Sequence, residues 1–201
     1  MTSLALWTTV LLGTVSAVEK APARPAIEIA LAHGSDAEGK TRTELQALLA
    51  KHPLGPWLYT RRVVIDERAI PHSDPVLTLH TRHLGDDLLL LSTFLHEQMH
   101  WFVSQHPKEL DAAVTELRRT YATLPVGFPD GANDEQASYE HLVVINLEWK
   151  TLARVVGAAD AMKAMRFWEG DHYRALYRIV GKDEARITAL MRRHQLIPTG
   201  L

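Results

Sequence analysis

Cysteine is absent from all 201 residues, so the chain has neither a disulfide framework nor a thiolate metal site. Any metal must therefore be held by the 11 histidines and by carboxylates. An excess of one charge is also lacking, since the formal net charge of -2 shows no bias toward nucleic acid or anionic membranes. Repeats and low-complexity tracts are missing too. With 46% hydrophobic and 23% charged residues, the sequence is typical of an ordinary globular domain.

The first 17 residues lack Lys and Arg and form an apolar stretch. It ends on Val15-Ser16-Ala17, small residues typical of a signal peptidase site, and two prolines follow within residues 18–25. This pattern predicts a signal peptide over 1–17, a linker over 18–25 and export to the periplasm or the medium. The alternative is an N-terminal membrane anchor that stays uncleaved. After cleavage no stable membrane span is expected, and residues 26–201 are expected to form a single domain.

Segments typical of strands come first in the remaining chain, and helical ones follow. Short apolar runs predict strands over 26–32, 58–66 and 76–82. Amphipathic patterns predict helices over 41–51, from about 86 to 104, 107–121, from 133 to about 156, 159–168, 171–180 and 182–194. Asn133 with Gln136 suggests a capping box for the fourth of these helices. The order predicts an α+β fold, with a small antiparallel sheet packed on a helical majority.

Two histidines four residues apart stand in the apolar segment FLHEQMHWF, residues 94–102. In a helix, His96 and His100 lie one turn apart on one face and can direct their rings at a single ion. Glu97 is rotated by about 100° from His96, so it can stand beside the ion and take a proton from a water molecule that the ion polarises. The pattern also arises by chance. Apolar neighbours nevertheless predict that both histidines are buried, and buried imidazoles need partners.

The chain resembles the zincin metallopeptidases in one short motif, His96-Glu97-Gln98-Met99-His100. A predicted strand over 76–82 precedes the motif helix, where zincins place the edge strand along which the substrate lies. The resemblance implies a zincin-like active-site helix, a bound Zn²⁺ and hydrolysis of peptide or protein substrates, with the roles just given for the three polar residues.

The motif does not supply a third ligand, and the first two kinds of candidate each meet an objection. His106 has the spacing of the metzincin branch, but Val103 stands where those enzymes place the glycine that turns the chain back. Glu135 and Glu140 are carboxylates on a later helix, as gluzincins use. A place in the first helical turn explains Glu135, and a place on the surface explains Glu140.

His141 is the third candidate, and it lies on a helical stripe that faces the core. The members of that stripe are His141, Ile145, Glu148, Leu152 and Val155. We therefore predict His141 as the third ligand, in a gluzincin-like rather than a metzincin arrangement. Glu148 is predicted as a fourth ligand or as an acceptor that orients a histidine. A buried His–Glu pair without metal is the alternative.

Other polar clusters are candidates with equally simple structural explanations. His172 and Tyr173, beside Asp171, are predicted to donate hydrogen bonds to a tetrahedral intermediate, as zincins use a His or Tyr. A helix N-terminus with an aromatic side chain in the core explains them as well. His80 and His83 form a possible second metal pair, which polarity at a strand edge also explains.

These residues predict an exported zinc metallopeptidase, in which His96, His100 and His141 bind the ion and Glu97 activates the water. A peptide or protein substrate is the expected partner, and nucleic acid is not expected. The rival hypothesis is a non-catalytic zinc-binding protein with a structural or partner-binding role. The two differ in the open coordination position that catalysis needs.

Overall fold

The computed structural model describes residues 26–201, so the predicted signal peptide and linker lie outside the described residues. In the described part, three strands precede most of six helices. The strands are β1 (Glu28–Leu31), β2 (Arg62–Ile65) and β3 (Leu77–Leu79). The helices are α1 (Asp36–Lys51), α2 (Asp87–Ser104), α3 (Pro107–Thr120), α4 (Glu135–Val156), α5 (Ala158–Asp171) and α6 (Arg174–Arg193). Within residues 26–201, no helix combines the length and apolar character that a membrane span requires.

The sheet is parallel, so the predicted antiparallel sheet is wrong. β2 lies in the centre and pairs in parallel with β1 and with β3. α1 crosses from the end of β1 to the start of β2, and such a crossover returns the chain in the same direction. The chain then doubles back over residues 66–76 before β3 begins. The apolar pattern of a strand predicts its burial but not its direction, which these connections determine.

A short antiparallel segment covers the outer edge of β3. His72 forms an antiparallel bridge with Thr78, with backbone hydrogen bonds of 2.8 and 3.1 Å. The edge on which the resemblance would place a substrate is thus occupied at Thr78 by the chain itself. The loop 66–76 therefore lies between β3 and the solvent.

Several helix ends differ from the prediction because of local capping. α1 begins at Asp36 rather than at residue 41, since Ser35 and Glu38 form a capping box. Asp134, not Asn133, caps α4 by accepting a hydrogen bond from the Ala137 N–H (2.7 Å). The last two predicted helices are one helix, α6, with a kink at Asp183.

The motif helix α2 is enclosed by the rest of the fold. It contacts α1 and β3 on one side and α4 and α5 on the other, which agrees with its almost uniformly apolar sequence. Its fully buried Gln98 accepts hydrogen bonds from the N–H groups of Tyr59 (2.7 Å) and Thr60 (3.0 Å) and donates one to the Thr60 carbonyl (2.9 Å). These bonds fix the rotation of α2 relative to the segment that leads into β2.

Candidate metal centre

Three histidine rings from α2 and α4 meet in the interior. His96, His100 and His141 each offer one nitrogen atom, and these atoms all lie within 4.8 Å of one another. The Nε2 atoms of His96 and His100 are 3.2 Å apart. Two nitrogens bound to one tetrahedral zinc ion at about 2.0–2.1 Å stand about 3.3 Å apart, so this spacing fits a shared ion.

Hydrogen bonds at the Nδ1 atoms of two rings leave their Nε2 atoms available as metal ligands. His96 Nδ1 donates to the carboxylate of Glu148 (2.9 Å), and His141 Nδ1 donates to the Ala137 carbonyl (2.7 Å). In a neutral imidazole with Nδ1 protonated, Nε2 carries a lone pair. The tautomer assigned from these bonds therefore directs two lone pairs into the space between the rings.

Burial keeps two of the three rings neutral. Desolvation and the neighbouring histidines hold the pKa of His100 well below its ordinary value, and they lower the pKa of His141 to about 3. For His96, burial also works against the charge, but the hydrogen bond and the charge of Glu148 outweigh it, so its pKa is raised. Two neutral imidazoles beside a third that Glu148 orients form a nitrogen donor set of the kind that zinc binds.

Glu148 lies behind His96 rather than among the three converging nitrogens. It is fully buried and accepts hydrogen bonds from His96, from the Ser92 hydroxyl and from the Tyr177 hydroxyl (2.9 Å). Ser92 in turn accepts one from Trp168 Nε1 (2.9 Å). The carboxylate is thus committed to holding the His96 ring. Sequence reasoning missed Ser92, although a polar residue one turn before His96 in an apolar run was a usable signal.

Glu97 is buried with no hydrogen-bond donor among residues 26–201. Burial raises its pKa to about 7, although the charges of His96 and His72 work in the opposite direction. The position of His72 follows from the Trp101 Nε1 donor, one helical turn after Glu97, which binds the Ser73 carbonyl (2.9 Å). The loop 66–76 therefore lies over the face of α2 that carries Glu97, and the sequence offered no signal for this.

An aromatic wall faces the centre at the junction of α5 and α6. The Tyr173 ring lies 4.3 Å from the His141 ring and 4.9 Å from the His172 ring. Burial and then the charge of Glu97 raise the pKa of Tyr173, so the phenol stays protonated near neutral pH. Tyr173 has a left-handed backbone (φ 50°, ψ 33°), which is costly for a bulky residue.

A chain of polar contacts holds this wall from outside. His172 Nδ1 donates to Asp171 (2.8 Å), and both nitrogens at the end of the Arg82 side chain donate to the same carboxylate. The bond from Arg82, then the bond from His172, lower the pKa of Asp171 to about 2, against the effect of burial. Burial lowers the pKa of His172 despite Asp171. Arg82 was not identified from the sequence.

The other candidate ligands lie elsewhere. His106 precedes α3, and its ring bonds the Phe102 carbonyl (2.8 Å). Glu135 pairs with Arg118 (2.8 Å), and Glu140 accepts a bond from Gln136 (2.8 Å).

His80 and His83, the possible second metal pair, each have another partner in the described structure. His80 Nδ1 accepts a hydrogen bond from the Arg82 N–H (2.7 Å). His83 packs edge-on against Trp168, with ring centroids 5.2 Å apart. Local backbone and packing contacts therefore account for both histidines.

A second group with suitable spacing consists of His33, Glu38 and Asp66. Glu38 is fully buried, but its carboxylate already accepts hydrogen bonds from the N–H groups of His33 (2.9 Å), Gly34 (2.8 Å), Ser35 (3.4 Å) and Glu67 (3.2 Å). Four positive dipoles directed at one carboxylate make it a poor cation ligand. These backbone bonds outweigh the effect of burial and lower its pKa. We therefore interpret this group as a structural contact that holds two loops together.

The residues of the first group fit zinc: three imidazoles converge, a carboxylate and a carbonyl orient two of them, and an acid stands beside them. Comparisons with protein-family models, curated proteins and solved structures give no match to this chain. The chemical interpretation of the site therefore depends on its geometry and on the short motif.

Proposed function

We propose that the protein is a zinc-dependent hydrolase, and specifically a metallopeptidase. The observation that carries the proposal is the convergence of His96, His100 and His141 next to the buried, donor-free carboxyl of Glu97. Three protein ligands with an adjacent acid are typical of catalytic zinc sites, whereas structural sites are closed by four. The choice of peptide as substrate comes from the resemblance to zincins.

The proposed reaction uses Glu97 twice. A bound zinc ion supplies the Lewis acidity that lowers the pKa of water to about 7. The carboxylate of Glu97 takes a proton from the attacking water while the water oxygen bonds to the peptide carbonyl carbon. The same carboxyl then gives that proton to the amide nitrogen as the C–N bond breaks, so that one water is consumed and an acid and an amine are released. A pKa near the working pH suits a group that both accepts and returns a proton.

Tyr173 and His172 are proposed to stabilise the oxyanion that forms during this attack. The phenol is protonated and its ring lies 4.3 Å from that of His141, so an O–H donor stands beside the centre. Asp171, which also accepts hydrogen bonds from Arg82, holds the neighbouring His172 ring through its Nδ1 atom, and His172 Nε2 is the atom proposed to face the substrate.

The rival hypothesis, zinc bound without catalysis, requires a fourth ligand or a purely structural role. Glu148 is the nearest candidate from the sequence, but its oxygens are taken up by His96, Ser92 and Tyr177. This arrangement favours an open fourth position and so favours catalysis. Export of the protein and a peptide or protein partner remain part of the proposal.

The test combines metal analysis with cleavage of a diverse peptide library by the full chain. Wild type is expected to carry about one zinc ion and to cleave peptides at neutral pH. Glu97→Gln is expected to keep zinc and lose cleavage. Glu140→Gln is the matched control, because this acid directly precedes His141 but bonds Gln136 instead. Zinc binding without cleavage by wild type would favour the non-catalytic rival, and cleavage by Glu97→Gln at the wild-type rate would reject the mechanism.

A further inference from the structure

The most exposed apolar side chains of the described chain are concentrated on two loops. Among residues 26–201 the five exposed large hydrophobic residues are Phe128 (83% exposed), Ile70 (81%), Val126 (53%), Leu84 (38%) and Phe167 (38%). Phe128 and Val126 lie on the loop 124–133, and Ile70 lies on the loop 66–76. Single exposed apolar residues are ordinary in proteins. The three most exposed ones lie on only two loops, and the contacts of these loops suggest a reason.

The loop that carries Ile70 is fastened beside Glu97. Trp101, one helical turn after Glu97 and next to His100, donates to the Ser73 carbonyl (2.9 Å). His72 Nδ1 donates to the carbonyl of Ile70 (2.8 Å), which connects Ile70 to the residue directly before Ser73. Ile70 is therefore an exposed residue of a loop that is attached to α2 beside Glu97 and His100.

The loop that carries Phe128 is fastened one turn before His141. The Ser138 hydroxyl donates to the Pro125 carbonyl (2.8 Å) and accepts a hydrogen bond from the Ala132 N–H (3.0 Å). Both ends of the loop are thereby attached to the first turns of α4. Because α4 also presents the His141 ring, the position of the loop is set by the same helix as the third predicted ligand.

The tip of this second loop also reaches the aromatic wall. The carbonyls of Pro129 and Asp130 accept hydrogen bonds from the N–H groups of Arg174 (3.0 Å) and Ala175 (3.2 Å), directly after Tyr173. Gly131 closes the loop tightly, since a Cβ atom there would lie 1.9 Å from the Pro125 carbonyl oxygen. The backbone directly after Phe128 is thus hydrogen-bonded to the residues that follow Tyr173, which is proposed to stabilise the oxyanion.

We infer that Ile70 and Phe128 bind apolar side chains of an unfolded or extended polypeptide substrate at the two borders of the centre. This inference rests on the proposed function and deepens it, because it names the substrate class as peptides with aliphatic or aromatic residues near the cleaved bond. A side chain bound by each loop would hold the intervening peptide over the centre.

Two properties of the loops favour a polypeptide over other apolar partners. The loops carry four acidic residues, Asp66, Glu67, Asp74 and Asp130, against one basic residue, Arg68, so an anionic membrane surface would be repelled. An aromatic side chain buries roughly 150–250 Å². A few separate side chains therefore bury less than the area of about 800 Å² per partner that is typical of a stable interface between folded proteins. They suit individual side chains of a peptide.

The experiment uses the zinc-loaded full chain with Glu97→Gln as background, so that binding is measured without turnover. Fluorescent peptides that differ only in carrying Leu and Phe or Ser and Gln in their central positions are titrated by anisotropy. The Leu/Phe peptide is expected to bind more tightly, and Ile70→Ser and Phe128→Ser are each expected to weaken its binding roughly tenfold. Binding of the Ser/Gln peptide should not change. Leu84→Ser is the matched control, an exposed aliphatic residue outside both loops, and should leave both affinities unchanged.

Equal affinity for the two peptides, or equal weakening by Leu84→Ser, would overturn the inference. Preferential binding of the loop tips to phosphatidylcholine vesicles, with loss in Ile70→Ser and Phe128→Ser, would overturn it in favour of a membrane. The proposed function is judged separately by cleavage with the Glu97 of wild type intact. Cleavage by wild type without a preference for apolar peptides would support the proposed function and reject the inference about Ile70 and Phe128. Binding of apolar peptides without cleavage would support the inference and reject the proposed function.

Discussion

Two fully buried glutamates, Glu38 and Glu148, have different partners: Glu38 belongs to the cluster with His33 and Asp66, and Glu148 lies behind His96 of the three-histidine cluster. Glu38 accepts four backbone N–H groups from two loops. Glu148 accepts three side-chain donors, one of which is the His96 ring. Backbone donors fix the path of the chain, while side-chain donors fix the orientation of groups that can act on something else. The spacing of potential ligands is similar in both clusters. The hydrogen-bond donors around the glutamate therefore distinguish a cluster that holds the chain together from one that is arranged to bind a metal.

Glu97 is a third buried glutamate, and its environment differs again, because no group among residues 26–201 donates a hydrogen bond to it. Its pKa is raised to about 7, whereas the pKa of Glu38 is lowered. A buried carboxylate that accepts hydrogen bonds stabilises the folded protein, whereas a buried carboxylate without donors destabilises it. Four experiments can break or sharpen this comparison, from the largest expected effect to the smallest.

Removal of one histidine from each cluster gives the largest contrast. His141→Ala is expected to weaken zinc binding by more than about 100-fold, since loss of a ligand exceeds the cost of losing a partner behind it. His33→Ala is the matched control and should leave affinity unchanged. Competition with a chromophoric chelator measures both affinities. If His33→Ala had the larger effect, the zinc site would have to be sought in the other cluster.

The opposite pKa shifts of Glu97 and Glu38 predict opposite pH dependences in metal-free protein. The folded chain keeps the Glu97 proton between pH 4.5 and about 7 while the unfolded chain has lost it, so stability falls as pH rises through this window. Glu97→Gln should therefore stabilise the metal-free protein by about 3 kcal/mol at about pH 8, and the gain should vanish near about pH 4.5. Urea unfolding in the presence of a chelator measures this.

Glu38→Gln is the control for that titration. A lowered pKa contributes stability above the unfolded value and loses it as pH falls, so this variant should be less stable than wild type at about pH 8 and closer to it in acid. The same sign of change in both variants would contradict the assignment of opposite environments.

Replacement of the acid that orients His96 should have an intermediate effect on zinc. Glu148→Gln retains the size of the side chain but removes the charge, and it should cost roughly 10- to 100-fold in zinc affinity. Glu38→Gln should cost none. Calorimetric titration of zinc into both proteins provides the comparison, and unchanged affinity in Glu148→Gln would assign Glu148 to the fold alone.

The smallest effect concerns Arg82, which is half-exposed and bonds Asp171. Exposed ion pairs contribute about 1 kcal/mol or less, so Arg82→Gln should lower kcat on a cleaved peptide by about two- to fivefold, with zinc content unchanged. Arg118→Gln is the matched control, since its partner Glu135 lies away from the centre. A change in KM alone would argue that Arg82 contacts substrate instead of positioning His172.

The part of the site that follows helical periodicity was predictable from the sequence. The spacing of His96 and His100 predicts two rings on one face, and the apolar stripe through His141 predicts a third ring directed inward. The structure brings these three rings together. Glu148 was predicted as either ligand or acceptor, and the structure places it as an acceptor of the His96 hydrogen bond.

The parts that depend on long-range chain direction were not predictable. Strand patterns do not reveal whether neighbours run parallel, so the sheet was wrongly expected to be antiparallel. His72 approaches Glu97 only because the loop 66–76 folds over α2. Arg82 meets Asp171 across 89 positions of sequence, a separation at which local pattern carries no information.

The enclosure of the motif helix has a consequence for the order in which the molecule assembles. Gln98 bonds the segment before β2, Met99 accepts a hydrogen bond from Thr151 of α4 (3.8 Å to sulfur), and His96 bonds Glu148. Three of the four residues from His96 to Met99 thus require both the sheet side and the helical side to be in place. A nascent chain that has emerged only as far as α3 possesses His96 and His100 but neither His141 nor Glu148. If the proposed zinc site is correct, high-affinity binding of the ion would become possible only when the last third of the chain has folded, and zinc occupancy would report completed folding.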